Sequence, residues 1–214
     1  MAKRGAVVVG AGPGVGRELA LVVAREGYDV ALVGRRSEPI EAIAAELRAS
    51  GASVETLLAD AADPSSMVNV LRERDDRVPT EVLVYNPVSR SDLTLARIGV
   101  DALRSSLDVN VVSAVAAVQA VLPSLMATEG AVLVTGGGSA LNPRAPYGVL
   151  SVGKAAERAA VLALADELAP LGVSVRTVII AGLMAPKGPL DPQRVAELLW
   201  DMRRSEEVEA VYSG

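Results

Sequence analysis

The apolar run Val7-Val8-Val9 passes directly into glycines at positions 10, 12, 14 and 16, and this junction constrains the fold more than any other stretch of the chain. A β-branched run of this kind reads as a buried strand, and Arg17 to Glu26 continues with helix-compatible periodicity. Glycine has no Cβ, so the turn between them can take positive φ and bring backbone N–H groups close to an anion. The partly positive start of the helix adds to that attraction. Strand, glycine turn and helix in this order form a phosphate-binding corner. A purely structural turn is the alternative, and glycines alone do not decide between the two.

The rest of the chain repeats the same alternation. Gly27 stops the first helix before Asp29 to Gly34, a second buried strand, and Pro39 to Ser50 reads as a helix closed by Gly51. Val54 to Ala59 is a third strand. Asp63 then offers an N-cap with Pro64 at the first helical position. Glu81 to Tyr85, Gly130 to Thr135 and Val173 to Ile180 supply three more strands, separated by helical regions at 101–128 and 146–169. A helix near Pro192 to Arg203 leads to Val208 to Tyr212, a plausible edge strand. Strands alternating with helices predict an α/β fold: a Rossmann-type, doubly wound, mainly parallel seven-stranded sheet with helices on both faces and right-handed crossovers.

Composition narrows the chemistry. Half of the 214 residues are hydrophobic but only 2% are aromatic, so the core must be built from Val, Leu, Ile and Ala, which suits buried parallel strands. That length predicts one domain over 1–214 with a core that needs no staples. With neither cysteine nor histidine in the chain, disulfides, thiolate sites and Ser-His catalysis are excluded and no metal site is expected. Acid–base work falls to Tyr, Ser, Lys, Asn or carboxylates. A net charge of −5 argues against nucleic acid as a partner. The N-terminal residues lead straight into the first strand, and the apolar segments read as too interrupted for a membrane span, so a cytoplasmic protein is expected.

In such a sheet a ligand lies beyond the carboxyl ends of the strands. After the second strand, where an acidic residue would bind the ribose hydroxyls of NAD, stand Arg35 and Arg36. Two guanidinium groups there suit a 2′-phosphate and favour NADP(H) over NAD(H), although NAD(H) stays possible and a solvated arginine pair is the plainer reading.

At this point the chain resembles the short-chain dehydrogenase/reductase family along almost its whole length. Gly10, Gly14 and Gly16 match that family's Gly-x-x-x-Gly-x-Gly loop, which also contains Gly12 and Val15, although Val9 stands where threonine is usual. The resemblance implies that Asp60 lies near the adenine ring and that Asn86 is what survives of the Asn-Asn-Ala-Gly segment. It also implies that Asn110 helps to hold the active-site lysine and a water. Asp60 capping a turn and Asn110 satisfying local backbone are the structural alternatives.

The catalytic pattern is incomplete. Family chemistry uses Tyr-x-x-x-Lys, because residues four apart share a helix face and the ammonium lowers the tyrosine pKa while binding the nicotinamide ribose. Lys154 is in place, but Leu150 occupies the tyrosine position and Gly137 stands about where the catalytic serine belongs. Tyr147, two helical turns before Lys154, and Ser139, on a glycine-rich loop, are the candidate replacements. Tyr147 packing at the start of the helix and Ser139 as a plain loop hydroxyl are the alternatives.

Only 185–190 separates the segment after the sixth strand from the next helix, so a much reduced substrate lid is expected near 183–191, with Leu141, Leu183 and Met184 along an open pocket. The resemblance implies hydride transfer between NADP(H) and a small carbonyl or alcohol. A catalytically silent dinucleotide-binding protein, or a scaffold for non-redox chemistry, is the alternative. Extra small apolar residues on the helices at 101–128 and 146–169 suggest a homodimer or homotetramer.

Overall fold

The computed structural model describes residues 4–214. Seven strands, β1 (Gly5–Val9), β2 (Asp29–Gly34), β3 (Val54–Leu58), β4 (Thr80–Tyr85), β5 (Ala131–Gly137), β6 (Ser174–Ile180) and β7 (Glu209–Tyr212), lie in one sheet in the order β3-β2-β1-β4-β5-β6-β7. Every pairing is parallel. The chain winds outward from β1 to β3, returns to β4 beside β1, and winds the other way. Loops leaving β1 and β4 therefore diverge at their carboxyl ends and leave a crevice between them.

Parallel strands covered on both faces bury every residue, and β1 is buried along its whole length. Alternate side chains feed two cores. Ala6, Val8 and Leu32 pack with Leu19, Ile40 and Trp200 from α1 (Val15–Arg25), α2 (Ser37–Ala49) and α7 (Pro192–Met202). On the opposite face, Val7, Val33 and Leu83 pack with Met67 of α3 (Pro64–Arg77) and with residues from the helices of the region 100–168. Asp63 caps α3 as its position predicts, its carboxylate accepting from the Ser66 N–H at 3.0 Å.

The helix expected over 101–128 is divided. It consists of α4 (Val100–Leu107), a π-helical turn at Asp108–Val112 and α5 (Ser113–Thr128). Side chains take backbone carbonyls just before the π turn and within it. Tyr85 Oη donates to the Val109 carbonyl at 2.5 Å, and Asn110 Nδ2 donates to the Ser106 carbonyl at 2.7 Å. Competing bonds of this kind accompany a locally widened ladder. The region also corrects one expectation, because Val100–Thr128 is long and apolar enough to cross a membrane by length and composition. Its inner residues Ala117, Val121 and Leu125 lie in the sheet's core, so packing accounts for part of its apolar character.

A short 3-10 turn at Ala145–Tyr147 precedes α6 (Gly148–Leu168). Between β6 and α7, residues 181–191 carry no helix or strand.

Candidate functional site

The crevice beside β1 is a cleft of about 430 Å³ floored by Gly10, Ala11, Gly12 and Pro13 and walled by Arg35, Arg36, Asp60 and Asn86. The glycines divide into two kinds. A Cβ on Gly10 would sit 2.8 Å from the Pro87 nitrogen, and one on Gly16 would collide with the Gly10 carbonyl oxygen. Those two allow the loop to pack tightly under the β4 end. At Gly12 and Gly14 a Cβ would meet nothing within 4 Å, so the bare backbone there opens outward. Gly14, at φ 95°, precedes Val15, the first residue of α1, and no side chain caps that helix start. An uncapped start with exposed backbone suits an anion.

Arg35 and Arg36 are exposed at the cleft, and neither has a carboxylate partner among the described residues. Asp60 lines the cleft, and its Oδ1 accepts from the Ala62 N–H at 2.9 Å, fixing the turn after β3. Asn86 ties the glycine loop to the sheet. Its Nδ2 donates to the Gly10 carbonyl at 3.0 Å while its Oδ1 accepts from Thr135 Oγ1 at 2.9 Å.

Thr135 continues this chain of contacts to the lysine, since its carbonyl accepts from Lys154 Nζ at 2.8 Å. Lys154 is 5% exposed and does not line the cleft. Its ammonium pairs with the Glu157 carboxylate at 2.7 and 3.0 Å. Glu157 is 1% exposed. Sequence reasoning missed it, although the three-residue spacing places it on the lysine's helix face. Burial pushes the Glu157 carboxyl up to about 7, opposed by the attraction of Lys154. Tyr85 is buried beside this carboxylate, and burial together with the Glu157 charge holds its phenol far above the ordinary range.

Asn110 sits in the π turn, fully buried, its Oδ1 without a hydrogen-bond partner among the described residues. It bonds its own helix rather than Lys154, and it presses on Gly153, where a Cβ would stand 2.6 Å from Nδ2. Ser139 does come near the lysine. A Cβ on Gly137 would lie 3.7 Å from Ser139 Oγ and 3.5 Å from Lys154 Cγ, so the displaced hydroxyl borders the space beside the lysine stem. Tyr147 is the residue immediately before α6, 56% exposed, with no hydrogen bond to its hydroxyl among the described residues.

A second recess of about 420 Å³ opens beside α6, lined by Leu95, Ala140, Arg144, Gly148 and Ser151 among others. The buried Ser151 Oγ has no hydrogen-bond partner among the described residues. Leu141, Leu183 and Met184, expected along the pocket, line neither recess. They are exposed, Leu183 to 91%: Leu183 and Met184 lie in the segment 181–191, which carries no helix or strand, and Leu141 ends the short 3-10 turn after β5.

Comparison with known proteins agrees with this architecture. The short chain dehydrogenase profile matches residues 4–187. A very-long-chain 3-oxoacyl-CoA reductase from Aspergillus terreus is 30% identical over 179 residues, which is 81% of this chain and 51% of that protein. An uncharacterised oxidoreductase from Staphylococcus aureus is 28% identical over 90% of this chain and 87% of its own length. The chain thus spans about half the length of the reductases it matches at 30% identity. Among solved structures, a short chain dehydrogenase from Burkholderia cenocepacia in complex with NADP superposes with a TM-score of 0.89 at 24% identity, covering 100% of this chain and 97% of that one. A metagenomic short-chain oxidoreductase in complex with NADP gives 0.86 at 21% identity, covering 98% and 96%.

Proposed function

Because the chain belongs to the short-chain dehydrogenase family, we propose that its cleft binds NADP(H) and that it acts as an oxidoreductase on a small carbonyl or alcohol. One observation carries the reading: the bare glycine backbone and the two unpaired guanidinium groups border one crevice. The fit is specific in kind. Gly10, Gly12, Gly14, Val15 and Gly16 hold the pyrophosphate at the uncapped start of α1, Arg35 and Arg36 take the 2′-phosphate, and Asp60 meets the adenine. When bound, the cofactor supplies the hydride, and the proton is the chain's responsibility. Tyr147 gives that proton to the substrate oxygen, Ser139 holds the same oxygen by a hydrogen bond, Asn110 supports the lysine's surroundings, and Lys154 meets the nicotinamide ribose. The open segment 181–191 leaves access for a small substrate. Exposed apolar residues at the end of the π turn and on α5 and α6, namely Val112, Met126 and Val152, support a homodimer or homotetramer.

Absorbance of NADPH followed over a panel of aldehydes and ketones tests the activity. With a substrate found, Tyr147→Phe lowers turnover by about 100-fold or more, the usual scale of general acid catalysis. Unchanged turnover removes Tyr147 from the reaction. A second reading, a catalytically silent NADP(H)-binding protein, draws on the burial and pairing of Lys154 with Glu157. Tight NADPH binding without oxidation of the cofactor on any member of the panel favours it.

A further inference from the structure

All of Lys154's hydrogen-bonding capacity is already used. An ammonium has three donors, and Nζ has three acceptors in place: the Thr135 carbonyl at 2.8 Å, Glu157 Oε2 at 2.7 Å and Oε1 at 3.0 Å. A ligand that takes a bond from Lys154 must displace one of them. Thr135 O belongs to the sheet and cannot move, so Glu157 is the partner that gives way. Held in this way, Lys154 is not among the residues that line the cleft.

The carboxylate has no other donor to satisfy it among the described residues. Lys154 on its own helix acts on it, and from β4 the Tyr85 hydroxyl is the titratable group that feels its charge. Arg158, next along α6, is turned to Glu209 of β7 at 2.6 and 2.8 Å. Arg176 of β6 donates to the Ser205 and Val175 carbonyls. From β5 it is faced by no charged group, and neither α4 nor the π turn adds a charge that acts on it. Lys154 and Glu157 are therefore an isolated, mutually dependent pair.

We propose that Glu157 is a positioning residue that competes with the cofactor for Lys154, holding the ammonium against β5 and releasing it to the cleft only when the pair is broken. This rests on the reading of the cleft as an NADP(H) site. A carboxylate offers Lys154 two charged oxygens, whereas a protonated carboxyl offers one neutral carbonyl oxygen. Protonation of Glu157 thus frees one lysine N–H for a ligand and removes the opposing charge. The upward displacement of its carboxyl by burial puts that event within the neutral range.

The test is NADPH titrated by its own fluorescence into wild type, Glu157→Gln and the double variant Lys154→Met/Glu157→Leu, across the neutral pH range. Protonation of the 2′-phosphate weakens binding on acidification in every variant, so the Glu157 effect is read as the difference between wild type and Glu157→Gln. On the alkaline side Glu157→Gln binds NADPH several-fold tighter than wild type, and the two converge as pH falls. The double variant, which has no lysine to release, binds NADPH more weakly than Glu157→Gln at every pH. Equal affinity and equal pH profiles for wild type and Glu157→Gln overturn the proposal. So does a double variant that binds NADPH as tightly as Glu157→Gln, which would mean that the gain does not come from Lys154. If Glu157→Gln does not fold, the pH course decides: wild type gains on the double variant as pH falls, and a constant gap between them overturns the proposal. Absence of NADPH binding by wild type at every pH overturns the cofactor reading itself, and this inference with it.

Discussion

Gly153 shows how a single hydrogen atom in place of a side chain can set the geometry of a site. It lets α6 approach the π turn closely enough for Asn110 Nδ2 to lie 2.6 Å from where a Cβ would be. Asn110 is buried and bonded to the Ser106 carbonyl, so it has no free direction in which to retreat. Gly153→Ala is expected to destabilise the fold by about 1–3 kcal/mol, the usual cost of overpacking a filled interior, as a lower denaturant midpoint in urea unfolding. An unchanged midpoint would mean that the two helices separate freely. Residues of this kind are not legible in a sequence, because their importance depends on which neighbour packs opposite. Glu157 is a similar case: its spacing from Lys154 was visible, but its burial was not. Arg35, Asp60 and Asn86 were legible because each follows a strand, and in a parallel sheet that alone places a residue near the crevice.

At the scale of elements, the strands were readable because both faces of the sheet are covered, which leaves continuous β-branched runs that no helix period explains. The π turn was not readable, because two tertiary or cross-turn bonds, Tyr85 to Val109 and Asn110 to Ser106, accompany it. The same dependence on neighbours defines the glycine loop. Gly16 packs its Cα against the Gly10 carbonyl, which is also held by the Asn86 side chain and the Gly12 N–H. A methyl group at position 16 must move backbone rather than a flexible side chain. Gly16→Ala is therefore expected to lower both the melting temperature and the NADPH affinity, while Gly12→Ala, where a Cβ meets nothing within 4 Å, leaves the melting temperature unchanged. Equal thermal effects at the two positions would contradict this division of roles.

Over the whole molecule, one topological reversal brings the candidate site residues together. The chain leaves β1, winds out to β3 and returns at β4, so the glycine loop, Arg35, Asp60 and Asn86, each following a different strand, meet at one crevice. That convergence followed from the strand order expected for this fold class. The state of Lys154 did not, because it depends on a buried partner that does not line the crevice. The central claim is that the crevice is an NADP(H) site read by Arg35 and Arg36, and the most direct measurement is a paired titration of the protein with NADPH and NADH at neutral pH. A guanidinium–phosphate contact of about 1.5–3 kcal/mol corresponds to about 10-fold to 150-fold in affinity. Saturable binding with NADPH tighter than NADH by that margin, and loss of the margin in Arg35→Ala/Arg36→Ala, is the predicted result. Failure of both cofactors to bind, or NADH binding as tightly as NADPH, would contradict the claim.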